Sequence, residues 1–99
     1  WDGFALEELL RFHQIPIEEA YFWAVHGQAE LDLLLFIHGK KRGFEFKFTD
    51  HPVMTKSMQL ATELLGLDQF TVIVPGKQSY PLASNIRVEG LENYFNEVS

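Results

Sequence analysis

The chain has 99 residues, 46% apolar and 14% aromatic, with no cysteine and 8 basic against 14 acidic side chains, a formal net charge of −6 and a pI near 5.0. That length builds one domain around one core, a sheet with two or three helices, and excludes a separate nucleotide-binding domain beside it. The absence of cysteine excludes a disulfide framework, a thiolate zinc site and a cysteine nucleophile, and the acidic balance runs against a free-standing nucleic-acid binder.

Any nucleic-acid contact is therefore expected to be local, metal-bridged or shared with another module. No apolar stretch approaches the ~20 residues of a membrane span, so no membrane association is expected. The opening Trp1-Asp2-Gly3 has neither an initiator Met nor a signal-peptide n-region, which gives the expectation of an excised, cytoplasmic fragment.

In chain order, Asp2 is placed to cap a helix from Gly3 to His13, whose apolar residues Phe4, Leu6, Leu9, Leu10 and Phe12 recur at helical spacing; Pro16 ends it. Ala20 to Val25 is aromatic and β-branched, a half-buried strand, with Gly27 turning the chain. Glu30 to Ile37 is too short for a typical helix and reads as a second strand, and Gly43 to Phe48 as a third, with Phe44, Phe46 and Phe48 on one face and Glu45 and Lys47 on the other. Between them Gly39-Lys40 has the composition of a type II′ hairpin loop.

A second helix runs from Thr55 to Leu65, with Gly66 as a left-handed C-cap. Gln69 to Val74 is a buried strand, Pro75 to Ser79 a loop, Ile86 to Glu89 a short edge strand, and Leu91 to Phe95 a final helical turn. The order αβββαβ with a short tail predicts an α/β domain with a mixed sheet of four or five strands flanked by helices.

Strand parity makes the hairpin register testable, because a slip of one residue exchanges the faces. With Gly39-Lys40 as the loop, Leu35 faces Phe44, Leu33 faces Phe46 and Leu31 faces Phe48. On the other face Asp32 lies opposite Lys47, with Glu45 as its diagonal neighbour at roughly 7–8 Å between Cα atoms. Glu30 shares that side. Two carboxylates so placed suit a hard divalent cation that keeps several waters. A neighbouring ammonium orients such a water or offsets charge on a phosphoryl oxygen, so the arrangement suits phosphodiester hydrolysis.

Asp32 followed across a hairpin by Glu45-Phe46-Lys47, inside αβββαβ, resembles the PD-(D/E)XK nuclease superfamily. The wider wording, from Trp1-Asp2-Gly3-Phe4 and Glu7 through Glu30-Leu31-Asp32, Asp50-His51-Pro52, Thr55-Lys56-Ser57, Gly66-Leu67-Asp68 and Pro75-Gly76 to Tyr80-Pro81-Leu82, resembles the uncharacterised C-terminal module of bacterial and archaeal AAA+-type ATPases.

The resemblance implies a restriction-endonuclease-like fold behind an ATPase that alone would bind ATP. It implies Asp32 and Glu45 as ligands of Mg²⁺ or Mn²⁺, with the Phe46 carbonyl beside them, Lys47 as the catalytic lysine, and an acidic residue on the first helix, Glu7 or its rival Glu8. Leu31 replaces the Pro of the motif, and Gln59 is followed four residues later by Glu63 rather than Tyr.

Lys56 near a helix start, and the cluster His38, Lys40, Lys41 and Arg42, are the candidate phosphate contacts, against the plainer reading of solvated surface charge. His26, close to Glu30 in sequence, is a candidate to support a metal ligand rather than to bind the ion itself. Gly76-Lys77-Gln78-Ser79 lacks the earlier glycine and the following helix of a phosphate loop. The expected function is a metal-dependent nuclease-like module acting on DNA. The alternative is a catalytically inactive version of the same fold that docks a partner or its own ATPase.

Overall fold

The β-branched and aromatic runs form strands and the stretches with helical spacing form helices, as far as a computed structural model describes them, at residues 1–25 and 29–97. In chain order these are α1 (Asp2–Phe12), a 3₁₀ turn (Ile17–Glu19), β1 (Tyr21–Val25), β2 (Ala29–Ile37), β3 (Lys40–Phe46), α2 (Lys56–Leu65), β4 (Gln69–Val74), β5 (Ser79–Ala83), β6 (Ile86–Gly90) and α3 (Leu91–Glu97). The predicted turn at Gly27, with His26, lies outside the described residues.

The strands make one mixed sheet in the order β1-β2-β3-β4-β6-β5. The β2–β3 hairpin is antiparallel, β3, β4 and β6 run parallel, and β5 returns antiparallel to β6. The sheet is thus mixed and flanked by helices, as expected, but it has one strand more. β5 contains Pro81, which donates no ladder hydrogen bond; as the outermost strand it tolerates that gap. β6, expected at an edge, lies between β4 and β5.

Two apolar layers cover the two faces. Ala5, Leu9 and Leu10 of α1 and Leu91 and Tyr94 of α3 pack on Leu33, Leu35, Ile37, Phe44, Phe46 and Ile73. Met58 and Ala61 of α2, with Leu67, pack on Leu31, Leu34, Phe70, Val72, Val74, Ile86 and Val88. The caps follow ordinary chemistry at α2, where the Met58 amide donates to Thr55 Oγ1 at 3.2 Å and Gly66 takes φ 61° and ψ 45°. They differ at α1. Trp1 holds the cap position without a side-chain hydrogen bond, and Asp2 is the first helical residue, where its charge favours the helix dipole.

The hairpin turns at His38-Gly39 rather than Gly39-Lys40, since Ile37 pairs with Lys40. Both turn residues have positive φ, 52° and 77°, the type I′ geometry whose twist matches the strands it joins. The register is therefore two residues from the expected one, with Leu33 opposite Phe44 and Leu35 opposite Arg42. A shift of two keeps the faces but changes every partner.

Leu31 does leave its expected face. Tyr21 pairs with Leu34 but Trp23 with Leu31, so β2 spends three steps against two on β1 and carries a bulge at Asp32-Leu33. The bulge turns Leu31 to the α2 side, where it packs so closely on Gly43 that a Cβ there would lie 2.7 Å from Leu31 Cδ1. Phe48, expected opposite Leu31, lies beyond β3, 75% exposed and edge-on to Trp1 with ring centroids 5.9 Å apart.

Candidate functional site

β2 and β3 hold their ladder only as far as Leu33 and Phe44, and Asp32 and Glu45 are the next residue on each strand. Beyond that point β3 stays with β4, because the Lys47 amide donates to the Ile73 carbonyl at 2.9 Å. The opposite edge of β3 loses its backbone partner, and a side chain replaces it: the Phe46 amide donates to Asp32 Oδ2 at 2.8 Å. The bulge in β2 coincides with this substitution, since an extra residue bends a strand and re-aims a side chain. A carboxylate thus stands on the backbone of the central residue of Glu45-Phe46-Lys47.

Phe44 and Phe46 belong to the α1–α3 layer, so alternation puts Glu45 on the α2 side with Gly43. Asp32 is exposed, while Glu45 and Lys47 are half-buried. The two-residue shift moves Asp32 off the position opposite Lys47, and the end of the ladder brings its carboxylate to the Phe46 amide. On α1, Glu8 is engaged by Arg11, Nη1 to Oε1 at 3.1 Å, whereas Glu7 is exposed. Among the described residues, no group of three or more His, Asp or Glu side chains converges as a metal cage.

The basic candidates separate. Lys56 is exposed at the first turn of α2. Lys41 is committed to structure: its ammonium donates to the Leu65 carbonyl at 2.9 Å, its amide to Asp68 Oδ2 at 2.7 Å, and its carbonyl accepts from the Asp68 amide at 2.8 Å. Lys40 and Arg42, one residue to either side, point to the opposite face and line a pocket with His38. As expected, no helix follows Gly76-Lys77-Gln78-Ser79; the segment runs instead into β5, the strand that was not expected.

One polar constellation escaped the sequence reading. Arg42 lies on the face of Phe44, with its guanidinium carbon 5.4 Å from the Phe44 ring centroid and 5.8 Å from that of Tyr94. His13 Nε2 lies 2.7 Å from Tyr94 Oη. Burial foremost, then the charges of Arg42 and His38, push the His13 pKa down to about 4. Burial raises Tyr94 to about 12, against the opposing pull of Arg42. At neutral pH the imidazole is neutral and the phenol protonated, so the two share one hydrogen bond whose direction follows the imidazole tautomer. The signal was present in parity, since Arg42 stands two residues before Phe44, a cation on an apolar face.

Among the described residues no helix is long and apolar enough to cross a membrane. The chain is 34% identical over 86 residues to an uncharacterised protein of Mycobacterium tuberculosis, Rv2008c, and to its Mycobacterium bovis counterpart, Mb2031c. Each match covers 87% of this chain and 19% of the relative, so the chain spans about a fifth of those proteins. No solved structure matches it. Residues 1–94 match the family described as Domain of unknown function (DUF4143), and the chain belongs to that family.

Proposed function

We propose that this domain is a metal-dependent nuclease-like module of restriction-endonuclease-like type, acting on or recognising DNA in the cytoplasm as the C-terminal part of a longer AAA+-type ATPase. The observation that supports it is the Asp32 carboxylate on the amide of Phe46, inside the acidic-x-Lys triplet. Two carboxylates from neighbouring strands and a backbone carbonyl are hard oxygen donors. With no larger cage among the described residues, they fit Mg²⁺ or Mn²⁺, which keep several waters, better than a fully protein-bound ion.

Asp32 and Glu45 would hold the ion, with the Phe46 carbonyl as a further donor; bound there, it would acidify a water and offset charge on a phosphoryl oxygen. The chain's own part is positional. The Phe46 amide fixes the Asp32 carboxylate, so less side-chain freedom is lost when a ligand arrives. Lys47 brings an ammonium to the same end of β3, where it orients the attacking water and stabilises charge on the phosphate oxygens. Glu7 is left to a water-mediated role from α1. The net charge of −6 makes DNA affinity weak for the domain alone and dependent on the metal and on the rest of the protein.

Full-length protein with Mn²⁺ is expected to cut DNA, and Lys47→Ala to slow cutting by roughly 100-fold or more while Mn²⁺ binding persists. Supercoiled, linear and branched DNA, and RNA, all left intact would overturn catalysis.

A second reading has its own observation. The Asp32–Phe46 bond also serves a purely structural end, closing a ladder, and Trp1, Phe4 and Phe48 are 36%, 57% and 75% exposed. Exposed aromatics of this kind suit a module that docks a protein partner or its own ATPase without catalysis.

A further inference from the structure

The turn end of the β2–β3 hairpin carries a second polar site, away from Asp32 and on the opposite face from Glu45. A pocket of about 370 Å³ opens there, lined by Ile37, His38, Lys40, Arg42, Asp68 and Gln69. Its cations outnumber its acids. Asp68, the carboxylate in the lining, already accepts from the Lys41 amide through Oδ2.

Arg42 is the unusual member. Its guanidinium packs against both the Phe44 and Tyr94 rings, and its Nε is buried without a hydrogen-bond partner among the described residues. A buried N–H left in this way has lost water without regaining a bond, a deficit that a small shift of the guanidinium towards an anion in the pocket would relieve. Contact with both rings also limits the freedom of the guanidinium, and Arg binds oxyanions through a fork that a flexible ammonium lacks. Lys40 and His38 add donors at the rim, and the Gln69 amide can donate from the start of β4.

We infer that this pocket binds a phosphate oxyanion, with Arg42 as the anchoring donor and Lys40, His38 and Gln69 around it. The inference is independent of the nuclease reading, since it requires neither a metal nor bond cleavage. The positive character of the region is also felt at His13, where burial first and then Arg42 and His38 oppose protonation.

The test is amide NMR of the ¹⁵N-labelled chain titrated with inorganic phosphate at constant ionic strength, using chloride as the balancing anion. Saturable shifts are expected at His38, Lys40, Arg42 and Gln69 while the surroundings of Asp32 and Glu45 stay unmoved. Lys40→Gln, an exposed position that leaves the core intact, should weaken the apparent affinity about threefold, and Arg42→Gln at least tenfold. Arg42→Lys should restore little, because charge returns without the fork. A parallel titration with a short duplex identifies the source: shifts at the same amides, reversed by excess phosphate, assign the site to a nucleic-acid backbone, and shifts with phosphate alone assign it to a small phosphate. No saturable shift from either ligand in the folded wild-type chain overturns the inference, as does phosphate binding that both Lys40→Gln and Arg42→Gln leave unchanged.

Discussion

The two ends of the β2–β3 hairpin are held by different means. At the turn end, backbone pairs run without interruption from Ile37–Lys40 to Leu33–Phe44, and buried leucines and phenylalanines fix the faces. At the open end the ladder stops, β2 bulges, and the carboxylate of Asp32 replaces a backbone acceptor. The first arrangement is stabilised mainly by burial and tolerates no change of volume. The second puts an acidic side chain where an ordinary sheet would have a carbonyl, and thereby places it beside an acidic-x-Lys triplet. Packing makes one end, and a polar substitution makes the other.

Substitutions sharpen this contrast. Leu35→Ala, at a position with no solvent exposure at the turn end, should cost about 3 kcal/mol or more in urea unfolding, through lost transfer energy and the cavity left behind. A loss below about 1 kcal/mol would mean that the closed half is not held by burial. Asp32→Ala should cost about 1–2 kcal/mol, since it leaves the Phe46 amide without its acceptor at a site water partly reaches. Asp32→Asn keeps a side-chain carbonyl for that amide and should cost less than half as much. Equal losses from the two variants would show that charge, not the hydrogen bond, holds the open end.

The pH dependence follows from His13. Its folded pKa, about 4, lies below the unfolded value near 6.5, so between those values the unfolded chain binds more protons. The contribution is intact above about pH 6.5 and is lost as pH falls towards 4. Because the ring is only half-buried, screening reduces the effect to the order of 1 kcal/mol. His13→Gln should flatten that part of the stability profile; an unchanged acid limb would contradict the assignment. The smallest effect belongs to the turn. His38→Asn suits a positive φ of 52° better and should stabilise by about 0.5 kcal/mol, seen as a higher urea midpoint, whereas destabilisation would argue against the type I′ geometry.

Much of this was legible in the chain because it rests on local rules. The period of Gln69–Val74, the Thr55 cap and Gly66 stop of α2, and the parity of Phe44 and Phe46 each come from a few neighbouring residues. The absolute register was not legible. Parity fixes faces but is blind to a shift of two, and that shift was decided by His38 accepting a left-handed conformation in the turn. Nor was the bulge: Leu31 and Leu33 look equivalent in sequence, and only pairing with β1 sends them to opposite sides. β5 was hidden by Pro81, which argues against an interior strand but not against the outermost one. At the site, the motif named Asp32, Glu45 and Lys47, whereas the contact between Asp32 and the Phe46 amide depends on where the ladder ends and so required the fold.

The central proposal is that Asp32 and Glu45 together hold a hard cation, and isothermal calorimetry with Mn²⁺ on wild type, Asp32→Asn and Glu45→Gln tests it most directly. Each variant removes one charge with little change of shape, and the Asn keeps the bond to Phe46. Saturable binding by the wild type, weakened at least tenfold by each substitution while the thermal midpoints stay close, is the expected result. Equal heats from all three folded proteins would contradict it and leave Asp32 as a structural clasp on Phe46.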